Sequence, residues 1–576
     1  MTVNFGLRFD HVGQWYGFND FAAGNEVWDY ANYDNGPNAP NNTGLEWNAI
    51  DKSIPLSGFV TRPIYYAPRG GIAWDIFGTG KTVFRGGMGV FRYQVTSETA
   101  EAGNGPAGSF EYTSPTVFNG IASSSTLTPP SSVAQNGSSV YAMQRGDSRE
   151  PFTNDWSVSV TQALAWHSVL DVSYVGNRSA NEYMDGTNSN LFNLNNIPIG
   201  GIFGMDPVTH TYVSPAPPPC STTNSADESL YCQANPTTYS QTYNVNDFRP
   251  LANYQNVYLV THAPYSNYNA LQVSFTKQSG PVTFLTNYTF SKVLGTRDGG
   301  SNNGSGNGAG LDPFNLRNDY GPLEYDHTQI MNLVYNWTLP RAIRSSTFGN
   351  RILGGAVNSW QLSGYTSFQS GYNLQLLTGG DFNVQYPTGL TVPTVANPTL
   401  PDNSITMPNG LKAIGLSPST YFGTSAYNVL MPALTCNPTA NLHGSQRFNP
   451  NCFTAPAYGT QGSYNMPYMR APNYWNNNLG IYKDFHFNDT RYLQFRISAT
   501  NWVNHPLRQF GLANSSDEEL SFIGTANATC AGCVTSSGAP LQVQYLSPTN
   551  TNTTTTGTPA FKTGQRIVTV ATKFYF

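Results

Sequence analysis

Along this chain apolar residues recur at every second position in short runs, and the runs are separated by stretches rich in turn-forming residues. The clearest run is Arg491 to Asn501. Leu493, Phe495, Ile497 and Ala499 fall on one side there, and Gln494, Arg496, Ser498 and Thr500 on the other, because successive side chains of a strand point to opposite faces. Ala270 to Thr276 repeats the scheme, with Leu271, Val273 and Phe275 opposed to Gln272, Ser274 and Thr276, and Val282 to Phe290 follows after a short turn. No long segment carries a convincing helical period. Reading for period two throughout predicts about twelve strands, near residues 2–10, 68–75, 82–93, 154–165, 169–178, 267–278, 282–293, 326–338, 359–370, 475–486, 490–502 and 565–576.

The connections between these strands alternate between two classes. Short turns lie at Trp166 to Ser168, Ser279 to Pro281 and Phe487 to Asp489, with an intermediate connection from Leu339 to Ser359. The others are long loops, from about residues 294–325 at the shortest to 371–474 at the longest, rich in Asn, Gly, Pro, Ser and Thr. Structureless loops of that length argue against a compact soluble domain. Short turns at one rim and long loops at the other describe an antiparallel transmembrane β-barrel, with the short turns periplasmic and the long loops outside the cell. An even strand count then returns the C-terminus to the periplasm.

Composition changes the picture in the same direction. Charged residues make up only 11% of the 576, against roughly a quarter in ordinary soluble domains, while aromatic residues reach 13%. Trp156, Trp166, Tyr174, Tyr288, Trp337, Trp360, Trp475, Tyr482 and Trp502 lie near predicted strand ends, where interfacial girdles sit in a membrane barrel. The alternative, core aromatics of a soluble β-sandwich, is weakened by the scarcity of charge on the second strand face. A mean hydropathy of −0.35 does not exclude a membrane wall, since only alternate residues of each strand would meet lipid. The net charge of −5, with no cluster of basic residues among aromatics, argues against nucleic acid as a partner.

Alternation alone assigns Arg85, Gln272, Asn287, Asn332, Gln494, Arg496 and Lys573 to the water-facing, lumenal side. Six cysteines fall in neighbouring pairs inside the long loops, Cys220 with Cys232, Cys436 with Cys452 and Cys530 with Cys533, and loop-stapling disulfides are the expected reading. Zinc binding or a CxxC redox site at Cys530 and Cys533 is the rival reading, although no second CxxC or His pair with ligand spacing accompanies it. Phe77 to Thr82, FGTGKT, has Asp75 where a phosphate-binding loop needs its first glycine, and a strand rather than a helix follows, so a hairpin turn is expected. Arg297 to Phe314 is rich in oxygen donors but lacks the acidic spacing of a calcium loop. No catalytic motif, metal set or cofactor motif emerges, and the chain is not expected to be an enzyme.

The last residues, Arg566 to Phe576, alternate Val568, Val570, Phe574 and Phe576 against Thr569, Ala571, Lys573 and Tyr575. This resembles the C-terminal signal of outer-membrane proteins, in which Phe574, Tyr575 and Phe576 would be read by the barrel-assembly machinery. More of the chain resembles TonB-dependent receptors of the Oar-like type, those with a carboxypeptidase-regulatory-like domain. The matching segments are Asn4 to Asp10, Ala67 to Arg92, Leu170 to Arg178, Tyr265 to Lys277, Thr283 to Gly295, Asn318 to Pro340, Trp360 to Gly371 and Tyr474 to Pro506. The resemblance implies a barrel of about 22 strands around an N-terminal plug. On it the present chain is the C-terminal barrel portion, without plug, TonB box, regulatory-like domain or signal peptide. It also implies outer-membrane lipid, the TonB complex and an extracellular ligand such as a siderophore, oligosaccharide or peptide as partners. A passive porin-like or partial barrel, and a secreted glycan-binding adhesin, are the alternatives.

Overall fold

The computed structural model describes residues 1–13, 25–34, 43–93, 140–182, 192–198, 249–251, 254–296, 314–323, 325–343, 347–374, 432–454, 462–463, 469–488, 490–510, 520 and 557–576, with eight further short strands between 382 and 550. Its main feature is one antiparallel sheet in which twelve strands follow one another in chain order. They are β1 (Thr2–Asp10), β2 (Tyr65–Asp75), β3 (Thr82–Arg92), β4 (Phe152–Leu164), β5 (Ser168–Ala180) and β6 (Ser266–Lys277). The second half comprises β7 (Val282–Thr296), β8 (Gln329–Thr338), β9 (Trp360–Gln369), β10 (Tyr474–His486), β11 (Tyr492–Thr500) and β12 (Ile567–Tyr575). All twelve strands expected from the alternation are present. The sheet is open: among the described residues nothing pairs with the outer edges of β1 and β12.

Register fixes which residues share a face. Leu271 of β6 pairs with Tyr174 of β5 and Phe290 of β7, whereas its neighbour Gln272 pairs with Ser173 and Thr289. Carried from strand to strand, this parity puts Val3, Phe5 and Leu7 of β1, Trp156, Val158 and Val160 of β4, Leu333 and Trp337 of β8, and Phe495 and Ile497 of β11 on one face with Leu271. The other face carries Asn4, Ser157, Ser159, Thr161, Ser274, Asn336, Ser363 and Ser498. Ladder bonds on both sides satisfy the backbone of the ten inner strands, as an apolar solvent demands, and among the described residues β1 and β12 are paired on one side only.

The polar face is the concave one. Thr276 on β6 and Tyr575 on β12 line the same cavity, of about 720 Å³. All seven strands from β6 to β12 contribute to its lining, from Thr276, Leu285, Asn336 and Ser363 to Tyr482, Arg496 and Tyr575. The sheet therefore curls inward around its polar side.

Two glycines on the apolar face show how closely that face is packed. Gly176 of β5 lies opposite Trp156, and Gly364 of β9 opposite Tyr335, and in each case an added Cβ would overlap the aromatic ring. The ring lies across the bare backbone of the neighbouring strand. Gly364→Ala is expected to destabilise the sheet by about 1–3 kcal/mol in urea unfolding. The double variant Gly364→Ala with Tyr335→Leu should recover most of the loss, and simple additivity would show that the ring does not depend on the glycine.

The short connections lie at one rim, as expected. In the β2–β3 turn the amide of Gly80 donates to Asp75 Oδ2 at 2.7 Å, and Gly78 and Gly80 both have positive φ, so FGTGKT is a hairpin turn. Two expectations are corrected. The connection from 339 to 359 contains a helix, α1 (Phe348–Val357). The long loops are not all irregular either. Segments of three of them build a second, five-stranded sheet in the order Leu45–Glu46, Val27–Trp28, Val140–Gln144, Val257–Val260, Phe192–Asn193.

Candidate functional site

Among the described residues, the curled wall and the loop sheet at its far rim each bring polar groups together. On the wall, the register sets Arg85, Gln272, Asn287, Asn332, Gln494, Arg496 and Lys573 all on the polar face. Asn287 pairs directly with Asn332, and Gln494 with Lys573. Arg85 stands apart, on β3. Its Nη1 donates to Thr161 Oγ1 at 2.7 Å, and Thr161 donates in turn to Asp171 Oδ2 at 2.5 Å.

At the short-turn end of the wall a tighter network forms. Arg496 donates from Nη2 to the Tyr575 hydroxyl at 2.7 Å and from Nε to Gln494, and Gln494 donates to Asp484 Oδ1 at 2.8 Å. The Tyr575 ring stacks on Tyr492, centroids 4.4 Å apart, with Lys573 Nζ 4.8 Å from its centre. Tyr482 pairs with Arg496 and lines the cavity, so it belongs to the polar face and not to an outward girdle. Parity is the reason: position 482 shares its face with Asn478 and Asp484. Leu285 and Val334 interrupt the polar lining with an apolar spot beside Asn336, Gln361 and Ser363. Such a surface offers hydrogen bonds, one delocalised cation and aromatic faces to a polar solute.

Of the terminal aromatics, Phe574 faces the apolar side, near Phe487 and Phe576, while Tyr575 turns to the polar side. Cys436 and Cys452 form a disulfide, Cα atoms 4.8 Å apart, which closes a loop whose flanking strands Ala433–Leu434 and Phe453–Thr454 pair. Cys220, Cys232 and Cys530 lie outside the described residues, and Cys533 is described only in its backbone. Arg297 to Phe314 also lies outside them, apart from Phe314. Among the described residues no three His, Cys, Asp or Glu side chains gather into a metal-binding group.

The loop sheet has a core of its own. Trp28, Leu45, Val140, Ala142, Leu251, Tyr254, Val257 and Leu259 are buried together, at about 1.5–3 kcal/mol for each large side chain. Polar groups then hold the third of these loops together and join it to the first. Asn195 Nδ2 donates to the carbonyls of Leu251 and Tyr254 at 3.0 and 2.7 Å, and the Tyr254 hydroxyl donates to Thr43 O at 2.8 Å. Arg249 Nη1 donates to Asn195 O at 2.8 Å, and its burial brings the guanidinium down to about 10.

Asp147 is fully buried. It accepts from Arg149 Nε at 2.8 Å and shares 3.1 Å with His262 Nδ1. Burial opposes its charge, but the hydrogen bonds from His262 and Arg149 prevail and hold the carboxyl well below the usual range. Arg145 gathers Asp29, Glu46 and Asp51 around one guanidinium. Glu26 has no such support. Only 1% exposed, it is raised to about 7 by burial, and among the described residues no donor reaches its Oε1. The sequence signalled none of this cluster, because its parts come from loops more than a hundred residues apart, as with Thr261 and Gln144.

The sequence is similar over residues 1–544 to the outer membrane beta barrel domain family. No curated protein matches it. Among solved structures it is similar to the outer membrane transporter YddB from Escherichia coli, with a TM-score of 0.32 and 7% identity over 89% of this chain and 41% of that one. It is also similar to the ferric-catecholate import receptor Fiu from E. coli K12, with a TM-score of 0.31 and 8% identity over 99% and 42%. For the FrpB iron transporter from Neisseria meningitidis the TM-score is 0.32 and the identity 6%, over 90% and 40%. The chain thus spans about two fifths of the length of these proteins.

Proposed function

This chain belongs to the outer membrane beta barrel domain family, and from that premise we propose that it is the wall and external face of a TonB-dependent receptor that imports a scarce polar ligand. The observation that carries the reading is the segregation of the sheet into an apolar convex face and a polar concave face, with the long loops at one rim folded into a polar cap. A bilayer needs the first face, a solute pathway the second, and capture from outside the third. The segments that resemble Oar-like receptors add the coupling to TonB. On this reading the long-loop rim is extracellular, the short-turn rim and C-terminus are periplasmic, and Phe574 and Phe576 are offered to the assembly machinery. Siderophore, oligosaccharide and peptide are all compatible with a lining of amides, hydroxyls and tyrosines.

Cells whose outer membrane carries the whole receptor, this wall together with the plug and TonB box that the resemblance implies, test the reading. Labelled ferric siderophore, maltooligosaccharide and oligopeptide are supplied with and without a protonophore. Uptake of one probe, abolished by the protonophore, is expected. Protonophore-insensitive entry of all three would indicate a passive pore instead.

A further inference from the structure

Helix α1 is built the wrong way round for a helix in water. At 3.6 residues per turn Phe348, Ile352, Leu353, Ala356 and Val357 occupy one half of it, and Asn350, Gly354 and Gly355 lie on the other. The small half makes the contact, at Gly354, while Gly355 beside it is exposed. Gly354 is buried, and a Cβ there would meet Asn358 and Ile343. The large apolar half is left outside: Phe348 is 79% exposed, Ile352 63%, Leu353 55% and Val357 46%. A soluble helix buries that half.

Its position explains the inversion. Three contacts fix it to the short-turn rim. The Asn358 side chain donates to Ile343 O at 2.7 Å and accepts from Ile343 N at 3.1 Å, Trp360 Nε1 donates to Ala356 O at 2.8 Å, and Lys483 Nζ donates to Asn358 O. Trp360 and Lys483 pair across β9 and β10 on the apolar face. The helix is therefore attached to the outer side of the wall, at the level where that face ends, and its apolar half continues the apolar face. The segment from 339 to 359 holds Arg341, Arg344 and Arg351 and no Asp or Glu. Basic residues combined with an exposed apolar half are the marks of a helix lying in a membrane interface.

We propose that α1 is an interfacial anchor that lies in the periplasmic surface of the bilayer, with Phe348, Ile352, Leu353 and Val357 sunk among acyl chains and the positive charge of the segment drawing it to anionic phospholipid headgroups. The proposal rests on the barrel reading above and adds to it a lipid site beside the wall. It gives the wall a fixed depth and tilt at β8 and β9, since an interfacial helix resists moving in either direction.

The test uses the full chain refolded into vesicles, with a nitroxide attached through a ketone amino acid, which leaves the cysteines untouched. The label is placed in turn at Leu271 on the sheet and at Ile352, Leu353 and Gly355 on the helix. Accessibility to oxygen is compared with accessibility to a water-soluble nickel complex. Ile352 and Leu353 are expected to favour oxygen, as Leu271 does, with Gly355 favouring nickel. Nickel-accessible Ile352 and Leu353 beside an oxygen-accessible Leu271 would overturn the anchor and leave the barrel standing. A nickel-accessible Leu271 would overturn the barrel reading itself. Immersion should deepen from phosphatidylcholine vesicles to vesicles that also contain phosphatidylglycerol, and equal depth in both would overturn the assignment of an anionic surface.

Discussion

Leu271→Arg is expected to destabilise the folded protein in bilayers by about 2–4 kcal/mol, while Gln272→Arg, one position along the same strand, should cost less than about 0.5 kcal/mol. The two residues sit in the middle of β6, Leu271 between Tyr174 and Phe290, Gln272 between Ser173 and Thr289. Leu271 is 43% exposed. If water covered it, a surface substitution to Arg would be nearly neutral. If lipid covers it, the guanidinium must be carried into hydrocarbon, and the cost is several-fold larger. The difference between the variants therefore measures the solvent on that face. Urea titration in large vesicles, read by the gel shift between unheated and heated samples, gives both values, and equal values would mean that Leu271 does not meet lipid.

Glu26→Gln is expected to abolish a pH dependence of about 3 kcal/mol in the stability of the loop sheet. The sign follows from burial. The carboxyl of Glu26 is raised from 4.5 to about 7, so between these values the folded cap holds a proton that the open form has lost. Stability then falls as pH rises from about 4.5 and levels off above about 7. Asp147 acts in the opposite sense and in a different window. Its carboxyl is held down by His262 and Arg149, so its contribution is complete above the ordinary aspartate range and fades only under stronger acid. The amide of Met143 donates to Glu26 O at 2.8 Å and reports on opening of the cap. Its hydrogen-exchange protection, corrected for the intrinsic rate, should fall roughly a hundredfold from pH 4.5 to pH 7 in the parent protein and stay level in Glu26→Gln. The same slope in both proteins would show that another group governs the cap.

Period two made the wall legible because one strand needs nothing but its own residues to declare two faces. Leu493 to Ala499 and Leu271 to Phe275 did so without any knowledge of their neighbours. Edges were less clear: β2 begins at Tyr65, three residues before the alternation could be separated from the preceding loop. The seven polar-face residues were likewise readable one strand at a time. Their partners were not, since Asp171 beneath Arg85 and Asp484 beside Gln494 depend on inter-strand register. Helix α1 was hidden by Gly349, Gly354 and Gly355, each about 1 kcal/mol unfavourable to helix, and it is held by Asn358, Trp360 and Lys483 instead. The cap was invisible for a different reason. Strands as short as Val27–Trp28 have no period, and they become a sheet only when loops from three hairpins meet.

An accessibility scan along β6, from Ser266 to Lys277, tests the central claim most directly, with a spin label placed at each position in turn in vesicle-embedded protein. Register requires a period of two: oxygen over nickel at Leu271, Val273 and Phe275, and nickel over oxygen at Gln272, Ser274 and Thr276. A flat profile, or alternation with the opposite phase, would contradict a membrane wall whose polar face encloses the pathway.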